Sequence, residues 1–103
     1  SPVALPTTAS IADGLLTLRP GDLTFAHVQA FVDEVVAVTD EELIAAVKWL
    51  FQEAKIVAEP SGAATVAAAL RVREPDTVAI VSGGNVDPAA YAGYIRSSPE
   101  PKA

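Results

Sequence analysis

The stretch "TVAIVSGGNVDPAAY", residues 77–91, decides how the chain is read. A run of β-branched and apolar residues, 78–81, breaks off at Ser82, Gly83, Gly84 and Asn85. The run has no polar alternation, which suits a strand of a parallel sheet covered on both faces. Asp87 then offers a helix cap and Pro88 a first helical turn. Strand, bare loop, helix is the order found at the carboxyl edge of an open α/β sheet, where ligands sit. Two glycines let the backbone come close to a flat or charged ligand. Ser82, as the last residue of the strand, adds a hydroxyl that donates or accepts. Such a group suits a heteroaromatic nitrogen that stays unprotonated. Taken alone, the tetrapeptide reads as an ordinary glycine turn before a capped helix, and the rest of the chain has to shift that balance.

Upstream, "AATVAAALRV" after "EPSG" predicts a helix with an almost all-alanine face, able to lie tight against a neighbour. Before it comes the clearest element. Thr39 caps and Glu42 completes a capping box. Leu43, Ile44, Val47, Leu50, Phe51 and Ala54 then form one apolar stripe on a helix running to about Lys55. Asp40 and Glu41 lie at its positive end and Lys55 at its negative end. Residues 35–39, "VVAVT", read as a short strand, and Phe25, Val28, Phe31 and Val32 have helical spacing. "RPGDLTF" carries a Pro-Gly turn signal. "SIADGLL" reads as a short helix capped by Ser10 and stopped or turned by Asp13-Gly14. A Pro-Asp turn precedes residue 78.

The expected order is helix, strand, helix, helix, strand, helix, an α/β pattern with too few strands to be a complete fold. Residues 1–9 read as a linker or lead-in, 10–96 as one unit, and 97–103 as a flexible tail. The sequence has no methionine. As written it does not begin at a start codon, so it is expected to be a piece of something larger.

With 103 residues, 50% hydrophobic and 19% charged, the chain has the profile of one small globular domain. A net charge of −6, with basic residues scattered from Arg19 to Lys102, speaks against nucleic acid. The absence of cysteine excludes disulfides and Cys-based zinc sites. No apolar run approaches the roughly 18 residues that span a bilayer. "SPVALPTTAS" lacks the features of a signal peptide, so no membrane and a cytoplasmic location are expected.

Five blocks, "IADGL", "PGDLTF", "VDEVVAVTDEEL", "AKIVAEPSGAA" and "VAIVSGGNVD", occur in this order over about residues 10–90. Together they resemble the C-terminal third of the pyridoxal-phosphate enzymes of the threonine dehydratase and serine racemase family. That resemblance implies a three-layer, parallel-sheet fold of the fold-type II class, with the cofactor ring between two α/β domains. It implies that Ser82 hydrogen-bonds the pyridine nitrogen and that Gly83, Gly14 and Glu59 lie against the cofactor, with Asp13 close to the substrate. Glu59 reads equally well as a carboxylate at a helix start. The racemases suggest Lys55 and Asn85 as nucleotide contacts, although a helix-end charge and a turn amide also explain them.

The departures from the family matter as much. Nothing here resembles the block that carries the Schiff-base lysine, and Lys48, Lys55 and Lys102 stand in other contexts. The phosphate loop and the racemases' acidic metal ligands are missing too. The resemblance therefore implies a segment of an L-threonine or L-serine dehydratase, inactive by itself. It would need the missing N-terminal portion, an amino-acid substrate and, as in relatives, a homo-oligomer. Racemase activity is the near alternative. A non-catalytic small-molecule-binding regulatory domain is the distant one, and it would need about four strands.

Three further features read as structural. His27 has no Asp, Ser or Cys constellation around it and reads as a helix-surface or packed residue. Trp49 lies off the main stripe and reads as a core-edge residue. Asp33, Glu34, Asp40, Glu41 and Glu42 read as caps and solubilising charges rather than metal ligands.

Overall fold

The computed structural model describes residues 2–97. In chain order these form a 3-10 turn (Asp13–Leu15), α1 (Asp22–Phe31), α2 (Asp40–Trp49), a π-helical turn (Leu50–Ala54), α3 (Ala64–Val72) and α4 (Pro88–Arg96).

The central helix, α2, starts where its sequence dictates. Glu42 donates its N–H to Thr39 Oγ1 at 3.1 Å, and Thr39 donates its own N–H to the Glu42 carboxylate at 2.9 Å. Both arms of the capping box are made, and two orphan donors are satisfied. The α-helix does not continue to Lys55 as its spacing suggests. After Trp49 the backbone widens into the π turn, which Lys55 closes in a left-handed conformation with φ 58°. A π turn shifts the angular position of the residues that follow. The buried stripe therefore stops at Leu50, and Phe51 and Ala54 are exposed. Phe51 stands edge-on to Tyr91 of α4, with ring centroids 6.1 Å apart.

Both α3 and α4 pack against α2. The core comprises Ala12, Leu43, Ala46, Val47, Leu50, Ala58, Ala63, Val66 and Ala67. Most of these are alanines, so the elements approach closely and the helix faces need little bulk between them. Trp49 is half-buried at the core's edge. Lys48 is nearly buried and donates from Nζ to the Ser97 carbonyl at 2.8 Å, which fastens the end of α4 to α2. Beyond Ser97 the expected tail lies outside the described residues. Helix α1 contributes no buried residue. His27 lies on its exposed face, with Nδ1 2.8 Å from the Leu23 carbonyl.

Two expectations are corrected. Ser10 caps no helix: it accepts the Ala12 N–H at 3.1 Å and donates to Asp40, and the chain turns at Asp13-Gly14, which opens the 3-10 turn. The strands expected at 35–39 and 78–81 are not formed, and among the described residues there is no strand. A strand exists only through its ladder partners. These two segments do not pair with each other. Residues 78–81 are held instead from the side, where Thr65 Oγ1 of α3 donates to the Ile80 carbonyl at 2.7 Å. Val78 is 89% exposed, Ile80 73% and Val35 79%.

Candidate functional site

Three loops meet at one end of α3: residues 11–15, 57–63 and 82–85. The first is tightened by two short hydrogen bonds, Asp13 N–H to the Ile11 carbonyl at 3.0 Å and Leu15 N–H to the Ala12 carbonyl at 2.9 Å. Ala12 anchors this loop in the core while Asp13 and Gly14 remain exposed. The second loop leads into α3. Ala63 donates to the carbonyls of Glu59 and Pro60 at 3.0 and 3.2 Å, and Pro60, Gly62 and Ala63 are buried. This is a rigid frame, built by the proline and by the alanine packing beneath it.

The loops are stitched by backbone. Glu59 donates its N–H to the Gly83 carbonyl at 3.1 Å. Gly14 donates its N–H to Ser61 Oγ at 2.9 Å. At 62 and 84 these approaches require glycine, because an added Cβ would meet backbone, whereas at 83 only the mobile end of the Glu59 side chain would have to move. A Cβ on Gly62 would fall 2.5 Å from the Gly83 oxygen, one on Gly84 would fall 2.4 Å from the Val57 oxygen, and one on Gly83 would fall 2.7 Å from Glu59 Oε1. Their bareness thus serves the contact of one loop with another. The sequence alone reads the pair at 83 and 84 as an ordinary glycine turn, or as room for a ligand's approach.

Most of the expected site residues converge here. Gly14 is tied to Ser61, which lies two residues from Glu59, and Glu59 is tied to Gly83 beside Ser82. Ser82 is exposed, and among the described residues its hydroxyl has no hydrogen-bond partner. Asp13 is exposed beside Gly14. Lys55 donates from Nζ to the Gln52 carbonyl at 2.7 Å, and Asn85 is the middle of a tight turn closed by Val86 N–H to the Gly84 carbonyl at 2.9 Å. No hydrogen bond among the described residues joins Lys55 to Asn85. Sequence reasoning missed Ser61 and Gly62. The available signal was the Ser-Gly pair directly after Glu59-Pro60, where a helix start needs neither a glycine nor an extra hydroxyl. The acidic residues form no group able to hold a metal ion among the described residues.

Comparison with known proteins bears on this arrangement. The family described as pyridoxal-phosphate dependent enzyme matches residues 1–83. An L-threonine ammonia-lyase from Thermotoga maritima is 46% identical over 81 residues, which are 76% of this chain and 20% of that protein. A serine racemase from Schizosaccharomyces pombe is 39% identical over 97 residues, 90% of this chain and 30% of that one. Among solved structures, the processed form of threonine deaminase isoform 2 from Solanum lycopersicum superposes with a TM-score of 0.80 at 31% identity, covering 89% of this chain and 29% of that one. The chain therefore spans between a fifth and a third of the length of these relatives.

Proposed function

The chain belongs to the pyridoxal-phosphate dependent enzyme family, and on that premise we propose that it supplies the pyridine-side wall of the site of an L-threonine or L-serine dehydratase. The observation that carries this reading is the exposed, unpartnered Ser82 hydroxyl at the edge of three stitched, glycine-rich loops.

The residues present fit the ring of the cofactor. A flat heterocycle needs a wall free of bulky side chains and one neutral polar group at its nitrogen. Gly14, Gly83 and Ser82 meet both conditions, with Glu59 alongside. They offer no amine for its aldehyde and no cationic side chain for its phosphate, since these three loops hold no lysine or arginine. Those groups would be held by a lysine-bearing portion of the same enzyme, and the chain alone would be inactive. The unpaired apolar segment at 78–81 suits a strand of a parallel sheet completed by that portion.

When bound, pyridoxal phosphate supplies the electron sink that makes the α-proton of an amino acid acidic. Ser82 sets how strong that sink is. A hydroxyl can share a hydrogen bond with the ring nitrogen but brings no negative charge to hold a proton there, as an aspartate would. A neutral ring withdraws fewer electrons, which favours prompt loss of the β-hydroxyl over transfer of the amino group. Elimination of this kind yields a 2-oxo acid and ammonia. Gly14 and Gly83 would present backbone to a bound ring, and Asp13 would stand on the substrate side.

Racemisation is the second reading. The yeast serine racemase, which matches 90% of this chain, supports it. Both reactions begin with removal of the same proton. The strand-rich regulatory domain finds no support in the helical order of the described residues.

The test is Ser82→Asp in the intact protein. Slower formation of 2-oxo acid and a shifted cofactor absorbance are expected. Elimination rate and spectrum both unchanged would overturn the role given to Ser82.

A further inference from the structure

We infer that Ser61 is a positioning residue, which sets where Gly14 stands relative to the Glu59–Gly83 pair. The inference rests on the reading of these loops as a cofactor site. Ser61 Oγ accepts the Gly14 N–H at 2.9 Å across 47 residues of sequence. Among the described residues no other hydrogen bond joins the 3-10 turn to the loop that opens α3.

The two sides of this contact differ in how firmly they are held. Ser61 is flanked by buried Pro60 and Gly62, in a turn closed by Glu59 N–H to the Gly83 carbonyl and Ala63 N–H to the Glu59 carbonyl. Gly14 sits on an exposed turn of three residues. Control therefore runs from Ser61 to Gly14. The contact is also close. A Cβ on Gly14 would lie 3.1 Å from Ser61 Oγ, so the hydroxyl would have to give by a few tenths of an ångström to make room for it. Oγ serves here as acceptor, and its own proton has no acceptor among the described residues.

Ser61 itself is half-buried, so its truncation leaves no core cavity. The effect expected of Ser61→Ala is thus a misplaced loop in a folded protein. Losing one neutral hydrogen bond that orders the site corresponds to about a fivefold loss of cofactor affinity.

The test is titration of the intact protein with pyridoxal phosphate, followed by absorbance. It is paired with hydrogen exchange of the Gly14 amide in the cofactor-free protein. Ser61→Ala is expected to weaken binding about fivefold and to speed exchange at Gly14. Ser61→Thr, which keeps the hydroxyl, is expected to restore both. Gly14→Ala disturbs the same contact from the other side, and combining it with Ser61→Ala is expected to cost no more than either alone. Native affinity in Ser61→Ala, with Ser82→Ala still weakened, would overturn the role of Ser61 and leave the site reading standing. A native protein that binds no pyridoxal phosphate would overturn both.

Discussion

Gly62 faces Gly83 so closely that a methyl group on it would lie 2.5 Å from the Gly83 carbonyl oxygen and 2.8 Å from its nitrogen. Both obstacles are backbone, so no side chain can swing aside to relieve the clash. Gly62→Ala must push the loop at 82–85 away from the start of α3, breaking the Glu59 to Gly83 hydrogen bond as it does so. A loss of about 2 kcal/mol in stability is expected, the usual scale for a forced backbone shift. Chemical unfolding would measure it. The same variant is expected to bind pyridoxal phosphate more weakly, because Ser82 moves with Gly83.

A second relationship ties the end of α3 to the start of α2. Arg71 Nη1 lies 3.1 and 3.2 Å from the two Glu42 oxygens, and Nη2 donates to the Ala37 carbonyl at 2.7 Å. Arg71 is 40% exposed and Glu42 16%, so the ion pair is screened and counts for little beyond its hydrogen bonds. Arg71→Ala is expected to cost about 1 kcal/mol. Glu42→Ala removes the capping-box arm as well and is expected to cost about 2 kcal/mol. Urea unfolding of both variants would check the order. Equal costs would mean that the cap contributes nothing.

How much of this was legible in the sequence follows from the range of the forces involved. The capping box at Thr39 and Glu42, and the Asp87-Pro88 helix start, are local and were read correctly. The end of α2 was not, because the spacing of Phe51 and Ala54 continues an α-helical stripe while the backbone changes to a π turn beneath it. The strands failed for a different reason. Residues 78–81 have strand composition, but a strand also needs a partner to pair with, and composition does not report one. At the site, where the fold brings their loops together, Ser82, Gly83, Gly14 and Glu59 were singled out through the resemblance of whole blocks. Ser61 was not, since its role appears only once a turn 47 residues away is folded against it.

Val78 and Ile80 are 89% and 73% exposed in this chain although both are strong strand formers. The proposed sheet buries them in the intact protein. Val78→Lys and Ile80→Lys are then expected to destabilise it by about 3 kcal/mol each, the cost of forcing an unpaired charge into an apolar layer. If instead these side chains stay in water there, each change falls within about 0.5 kcal/mol of native. Gln52→Lys, on an exposed position of the π turn, serves as the control. Thermal unfolding of the three variants would decide the matter.

Tyr91 presents the reverse case, a polar atom where an apolar one would serve. Its ring meets Phe51 edge-on, while its hydroxyl is buried without a hydrogen-bond partner among the described residues. Burial also raises the phenol's pKa above its ordinary value. The folded protein therefore holds this proton to higher pH than the unfolded chain does. Ionisation of the unfolded chain begins first, and stability falls as pH climbs through about 10 and above. Tyr91→Phe keeps the ring contact and removes both penalties. At pH 7 it is expected to equal the native protein or exceed it by about 1 kcal/mol. Near pH 10.5, within the window where the phenol titrates, its advantage should widen. Urea unfolding at the two pH values checks both parts, and a variant less stable than native at pH 7 would show that the hydroxyl is bonded after all.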